Sequence, residues 1–146
     1  MGATTPKTTP EEAADRVHSA AVRVLRHVRR EDLKSGLTPS RLSALSVVVY
    51  GGPVTLGELA AAEQVRPPTM TRIVYALEAS GLVHKRWDVG DKRTVRLTAT
   101  PQGRRLMERA RKRRTAALAG RLQRLDSDEV DVLAEAARLV EQALRD

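Results

Sequence analysis

The sequence predicts a mainly α fold carrying one small β-wing of two to three strands. Three observations predict it. Helix-start signals recur along the chain, at Thr9-Pro10, Thr38-Pro39, Thr55-x-x-Glu58, Pro67-Pro68, Thr100-Pro101 and Asp126-x-x-Glu129, each followed by apolar residues at helical spacing. One stretch breaks that pattern: after Gly81, residues 82–87 and 94–98 read as strands around a charged loop, with Val95 and Leu97 alternating with Thr94, Arg96 and Thr98. Phe is absent, Trp occurs once and Tyr twice, so the core must be Leu, Val and Ala. Such a core suits close helix packing and argues against a large sheet. A chain of 146 residues makes one domain, or a small domain with extensions.

Each element has its own justification. In the first helix Thr9 caps, Pro10 takes the first helical position and Glu12 completes a capping box. Val17, Ala20, Ala21, Val24, Leu25 and Val28 form its apolar stripe, and Ser35-Gly36 ends it. The second helix buries Leu42, Leu45, Val48 and Val49 and stops at Gly51-Gly52-Pro53. The third opens on the Thr55/Glu58 box and turns Leu56, Leu59 and Ala60 inward. Glu63-Gln64-Val65 is the turn that follows, with Val65 as its plug. The fourth sets Met70, Ile73, Val74 and Leu77 at i, i+3, i+4 and i+7, and Gly81 follows it as a C′ residue. Gly90 is expected to supply the turn between the strands, and Asp91 to pair with Arg93 and fix its side chain. Trp87 and His84 read as packing and strand-surface residues. The fifth helix carries Leu106, Ala110, Ala117, Leu118 and Leu122 on its inner side. The sixth starts at Asp126/Glu129, stapled by Leu125 and Val130, and continues with Leu133, Ala137, Val140 and Leu144.

Charge is unevenly spread. The chain carries a formal +8, and residues 66–114 hold fourteen Lys/Arg against four Asp/Glu. The rest of the chain is slightly acidic. A localised basic segment is the electrostatic footprint of a polyanion binder. Helix, short turn, helix, strand, loop and strand is the order of a winged helix-turn-helix, in which one helix enters the DNA major groove. With the apolar face of the fourth helix as reference, Pro68, Thr71, Arg72 and Tyr75 point away from the core, Thr69 lies at the flank, and Arg66 sits just ahead. A helix N-terminus there also favours phosphate through free N–H groups and its dipole. Arg86, Lys92 and Arg93 are the candidate contacts of the wing. The terminal helices carry more apolar stripe than a small core can cover, and a two-fold dimer would bury it. The expected division is a disordered tail over 1–8, dimerisation helices over 9–37 and 100–146, and a winged helix-turn-helix DNA-binding unit over 38–99.

Several function classes are disfavoured. Gly51-Gly52-Pro53 lacks the Lys-Ser/Thr of a phosphate-binding loop, and no nucleophile sits beside a base, so no enzyme is expected. Without Cys there is no disulfide, thiol switch or thiolate metal site. His18 and His27 fall on opposite sides of their helix, so no metal and no cofactor is expected. No window approaches the roughly 18 apolar residues of a membrane span, and the N-terminus lacks a signal-peptide core. A cytoplasmic residence is expected.

The segment PPTMTRIVYALEASGLVHKRWDVGDKRTVRLTATPQGRRL resembles the MarR family of bacterial transcriptional regulators. The proline-rich start, T-R in the fourth helix, L-E-x-x-G-L-V after it and D-x-R in the wing fall in the family's order. The resemblance implies a homodimer binding a pseudo-palindromic operator. It places Thr69, Thr71 and Arg72 at the major groove and Arg93 in the minor groove, with Asp91 orienting it. It also implies release from DNA by a small aromatic or apolar acid effector. The function expected is therefore a dimeric, sequence-specific repressor released by a small-molecule ligand. The alternative is a nucleoid-type DNA-binding protein with little sequence preference and no inducer.

Overall fold

Side-chain caps set most of the helix starts. The computed structural model describes residues 8–145, so the tail expected over 1–8 lies outside them except for Thr8. Among the described residues the helices are α1 (Pro10–Asp32), α2 (Pro39–Gly51), α3 (Leu56–Ala62), α4 (Pro67–Ala79), α5 (Pro101–Leu122) and α6 (Ser127–Ala143). Thr9, Thr38, Thr55, Thr100 and Asp126 each accept a backbone N–H of the first turn, and Glu12, Glu58 and Glu129 close reciprocal boxes. Each such cap contributes about 1 kcal/mol. α1 ends at Asp32 rather than at Ser35, because the chain tightens into a 3₁₀ turn over Leu33–Ser35 before Gly36 takes φ 76°.

A three-stranded antiparallel sheet is built from β1 (Val54–Thr55), β2 (Val83–Trp87) and β3 (Val95–Ala99), with β3 in the middle. β1 is only two residues long, and the sequence shows it merely as the lead-in to the α3 cap. The register pairs Val83 with Ala99, Lys85 with Leu97 and Trp87 with Val95, and sets Thr55 opposite Arg96.

The core lies between α2, α3, α4, the start of α5 and the inner face of the sheet. Leu45, Leu59, Met70, Leu77, Leu97 and Met107 are its largest fully buried side chains, each worth about 1.5–3 kcal/mol of burial. The expected inward residues of α2, α3 and α4 are buried or half-buried there. α1 packs along α5. Much of its stripe remains open, with Leu25 65% exposed and only Val28 buried. α6 has no buried residue, and Val132, Leu133, Leu139 and Leu144 are all exposed. No helix among the described residues is long and apolar enough to cross a membrane.

Candidate nucleic-acid interface

α4 takes its direction from both of its ends. At the start, Arg66 is the N-cap and Pro67-Pro68 fix the first turn. The sequence suggests free N–H groups there, and the structure corrects this. Pro67 and Pro68 have no N–H, and the amides of Thr69 and Met70 both donate to the Arg66 carbonyl, at 3.0 and 3.1 Å. The helix dipole remains, but no cradle of unpaired amides does. At the far end the Gly81 N–H donates to Glu78 O and the Leu82 N–H to Leu77 O, with Gly81 at φ 70°. This is a Schellman cap, closed by buried Leu77 and Leu82.

The outward side of α4 is open. Arg66, Pro68, Thr69, Thr71, Arg72 and Tyr75 are all exposed, and Tyr75 is 72% accessible. Thr71 donates its hydroxyl to the Pro67 carbonyl at 2.9 Å, so its oxygen is left as an acceptor. Glu78 sits late in the helix and pairs with Lys85 of β2 at 3.4 Å.

The wing loop differs from expectation in two ways. Gly90 does not have a positive φ. Its N–H donates to Asp88 Oδ1, while the tight turn runs over Asp91–Thr94 and is closed by the Thr94 N–H donating to the Asp91 carbonyl at 3.0 Å. Lys92 and Arg93 therefore occupy the centre of the turn and project at the tip, both exposed. Asp91 does not pair with the Arg93 guanidinium. Its carboxylate accepts the Arg93 backbone N–H at 2.9 Å and the Thr94 hydroxyl at 2.8 Å, so it fixes the chain on which Arg93 rides.

Arg86 stands on the sheet face opposite the one that packs on α4, where its Nε donates to His84 Nε2 at 2.7 Å. The face turned toward α4 carries Lys85 and Trp87. Trp87 is not a packing residue: it is 67% exposed. A hollow of about 200 Å³ separates this face from α4, lined by Leu56, Thr71, Val74, Lys85, Val95 and Leu97. The register that pairs Val83, Lys85 and Trp87 with Ala99, Leu97 and Val95 sets this facing.

Nothing in the local sequence marks Arg96 as a structural group. Its Nε donates to Asp88 Oδ2 at 2.7 Å, and its Nη1 lies 3.9 Å from Glu58 Oε2. The Arg96 guanidinium and then the Gly90 N–H hold the Asp88 carboxyl below the usual carboxylate range. Glu58 is lowered chiefly by the Thr55 N–H and hydroxyl of its capping box, with Arg96 adding a smaller effect. Arg96 is itself raised, mainly by Asp88. One side chain thus ties the base of the wing to the start of α3.

A second feature lies at the seam of α1, α2 and α5. A cavity of about 250 Å³ is walled by Leu37, Leu42 and Met107, with Arg29, Asp32 and Arg114 at its polar end. Asp32 Oδ1 is buried, has no hydrogen-bond partner and lies 3.4 Å from Arg114 Nε. Among the described residues no group of His, Asp and Glu converges as a metal site.

The MarR family model matches residues 37–95. HTH-type transcriptional regulators of Mycobacterium leprae and Mycobacterium tuberculosis are each 37% identical over 121 residues, covering 83% of this chain and 85% of the relative. Among solved structures, a transcriptional regulator from Thermotoga maritima superposes with a TM-score of 0.79 at 22% identity, over 90% of this chain and 92% of its own. MarR of E. coli in its apo form gives 0.68 at 20% identity, over 90% and 96%. A Staphylococcus aureus MepR mutant bound to an oligodeoxyribonucleotide gives 0.66 at 16% identity, over 90% and 97%. The MarR model over residues 37–95 and the match to the mycobacterial HTH-type regulators over 83% of the chain carry the assignment together, and the structural likeness agrees in fold: the chain belongs to the MarR family of transcriptional regulators.

Proposed function

We propose that two copies of this chain bind a pseudo-palindromic operator in double-stranded DNA and act as a cytoplasmic repressor released by a small apolar acid. The observation that carries the reading is the open outward side of α4, with Thr69, Arg72 and Tyr75 exposed, beside a wing whose turn presents Lys92 and Arg93. Thr69, Thr71 and Arg72 read bases in the major groove, since the N-terminal residues of such a helix reach base edges. Arg66, Pro68 and Tyr75 flank them against the backbone. Lys92 and Arg93 supply affinity at the minor groove or phosphates, and Arg86 meets phosphate on the outer side of the wing.

Residues 38–99 form the DNA-binding unit, and 9–37 with 100–146 form the dimer. The unburied stripes of α1 and α6 support this, because exposed apolar patches of that kind mark association surfaces. The seam cavity is the effector site. Arg29, beside the Asp32–Arg114 pair, suits a carboxylate, and Leu37, Leu42 and Met107 suit an apolar body. A ligand there releases DNA only if it prefers a conformation whose α4 helices miss the half-site spacing.

Selection of bound duplexes from a random pool tests the reading. The expected product is an inverted repeat whose half-sites are about one helical turn apart, or a multiple of that. Recovery of unrelated sequences, with equal affinity for selected and random DNA at stated salt, would establish the nucleoid-type alternative instead.

A further inference from the structure

We propose that Trp87 is a contact to the DNA backbone, packing its indole on a deoxyribose and donating its N–H to a phosphate beside the groove entered by the wing. The inference rests on the DNA-binding function proposed above. The register puts Val83, Lys85 and Trp87 on one face of the ribbon, with Ala99, Leu97 and Val95 opposite them. That face begins in the core, where Val83 and Leu97 are 2% and 1% exposed. It ends outside the core at Trp87, next to Val95 at the edge of the hollow that Thr71 of α4 also lines. Trp87 is therefore an apolar side chain on the α4-facing side of the wing that the described residues leave 67% exposed.

The chemistry of the surroundings favours a polyanion as the cover. Lys85 precedes Trp87 on the same face, and Lys92 and Arg93 occupy the turn at the end of the ribbon. An indole N–H is a donor with no acceptor capacity, and phosphate oxygens are acceptors. Its ring also offers a large apolar area to the sugar at small cost in side-chain freedom.

Trp87 is the chain's only tryptophan, so its emission reports this one position. The full chain is titrated with a fluorescein-labelled duplex recovered by selection, and anisotropy establishes saturation. In the saturated complex, quenching of Trp87 by acrylamide is expected to fall several-fold. Trp87→Ala is expected to weaken binding about tenfold, with Trp87→Phe in between because it keeps the packing and loses the donor. Both variants are expected to keep the wild-type urea midpoint, since the side chain is exposed. Unchanged quenching at saturation, or wild-type affinity in Trp87→Ala, overturns the inference while leaving the DNA-binding function standing. Failure of the duplex to bind at all overturns both. Protection that grows with protein concentration in the absence of DNA assigns the indole to a second copy of the chain and also overturns it.

Discussion

Gly103 lies so close to Leu82 that a Cβ on residue 103 would overlap the Leu82 carbonyl oxygen. The same carbonyl accepts the Thr100 N–H at 3.0 Å, and the Thr100 hydroxyl donates to the Gly81 carbonyl at 2.6 Å. The C-terminal cap of α4 and the N-terminal cap of α5 are therefore one joint. α5 in turn packs along α1. Any shift between α1 and its surroundings that moves α5 carries the end of α4 with it.

Gly103→Ala is expected to destabilise the protein by about 1–3 kcal/mol, because backbone rather than a flexible side chain must move. Urea unfolding measures this. DNA affinity is expected to fall as well, since α4 is displaced at its cap. A variant with wild-type unfolding free energy would show that the joint is looser than its geometry.

The joint also marks the limit of what the sequence could convey. Helix starts were legible because each is written in four or five consecutive residues, as in Thr55-Leu56-Gly57-Glu58. The Gly81 cap was legible for the same reason. Gly103 reads locally as a poor helix former inside a helix, and only its approach to Leu82, twenty-one positions earlier, explains it. Arg96 fell to the same difficulty, since its alternation places it on a strand without naming Asp88 and Glu58 as partners. The Asp91–Arg93 spacing is plain in the sequence, but the bond goes to the backbone N–H, a donor that every residue type except proline would offer. Of the interface, the outward side of α4 followed from periodicity, whereas the sides of the wing depended on a register that only the structure supplies.

Arg96→Gln should free the base of the wing. DNA affinity is expected to fall several-fold while the slope of log affinity against log salt stays as in the wild type, because the guanidinium is spent on Asp88 rather than on phosphate. A slope reduced by about one contact would make Arg96 a phosphate ligand. The pH dependence has a definite sign. The folded-state Asp88 carboxyl is held below its ordinary value. The brace is thus complete above the ordinary aspartate value, about pH 4, and is lost as pH falls through the lower folded value. A carbon-detected titration that put Asp88 at or above pH 4 would contradict the Arg96–Asp88 bond.

Arg72 and Arg93 separate reading from holding. Arg72→Ala is expected to cost about 1–3 kcal/mol on the selected operator and much less on random DNA, as for a base contact. Equal losses on both would make Arg72 a backbone contact. Arg93→Ala is expected to weaken binding across sequences and to lower the salt slope by about one. A wild-type slope in that variant would remove Arg93 from the groove and the phosphates alike.

Truncation after Gln123 is expected to convert the protein to a monomer in sedimentation, because it removes α6. Val132, Leu133 and Leu139 of that helix are exposed, and none of its residues is buried among the described residues. The core of α2, α3, α4 and the sheet does not draw on α6, so the truncated chain should keep its fold by circular dichroism. Operator affinity should fall steeply even so, since two half-sites are then no longer held at one spacing by one particle. A truncated protein that still sediments as a dimer would move the interface to α1 alone, whose Val17, Val24 and Leu25 are the remaining open stripe. The two helices can be told apart further. Leu133→Glu places a charge in the α6 stripe and Leu25→Glu one in the α1 stripe, both at exposed positions where the monomer loses little. Monomerisation by both, with operator affinity lost in parallel, is the result expected of an interface built from the two helices together.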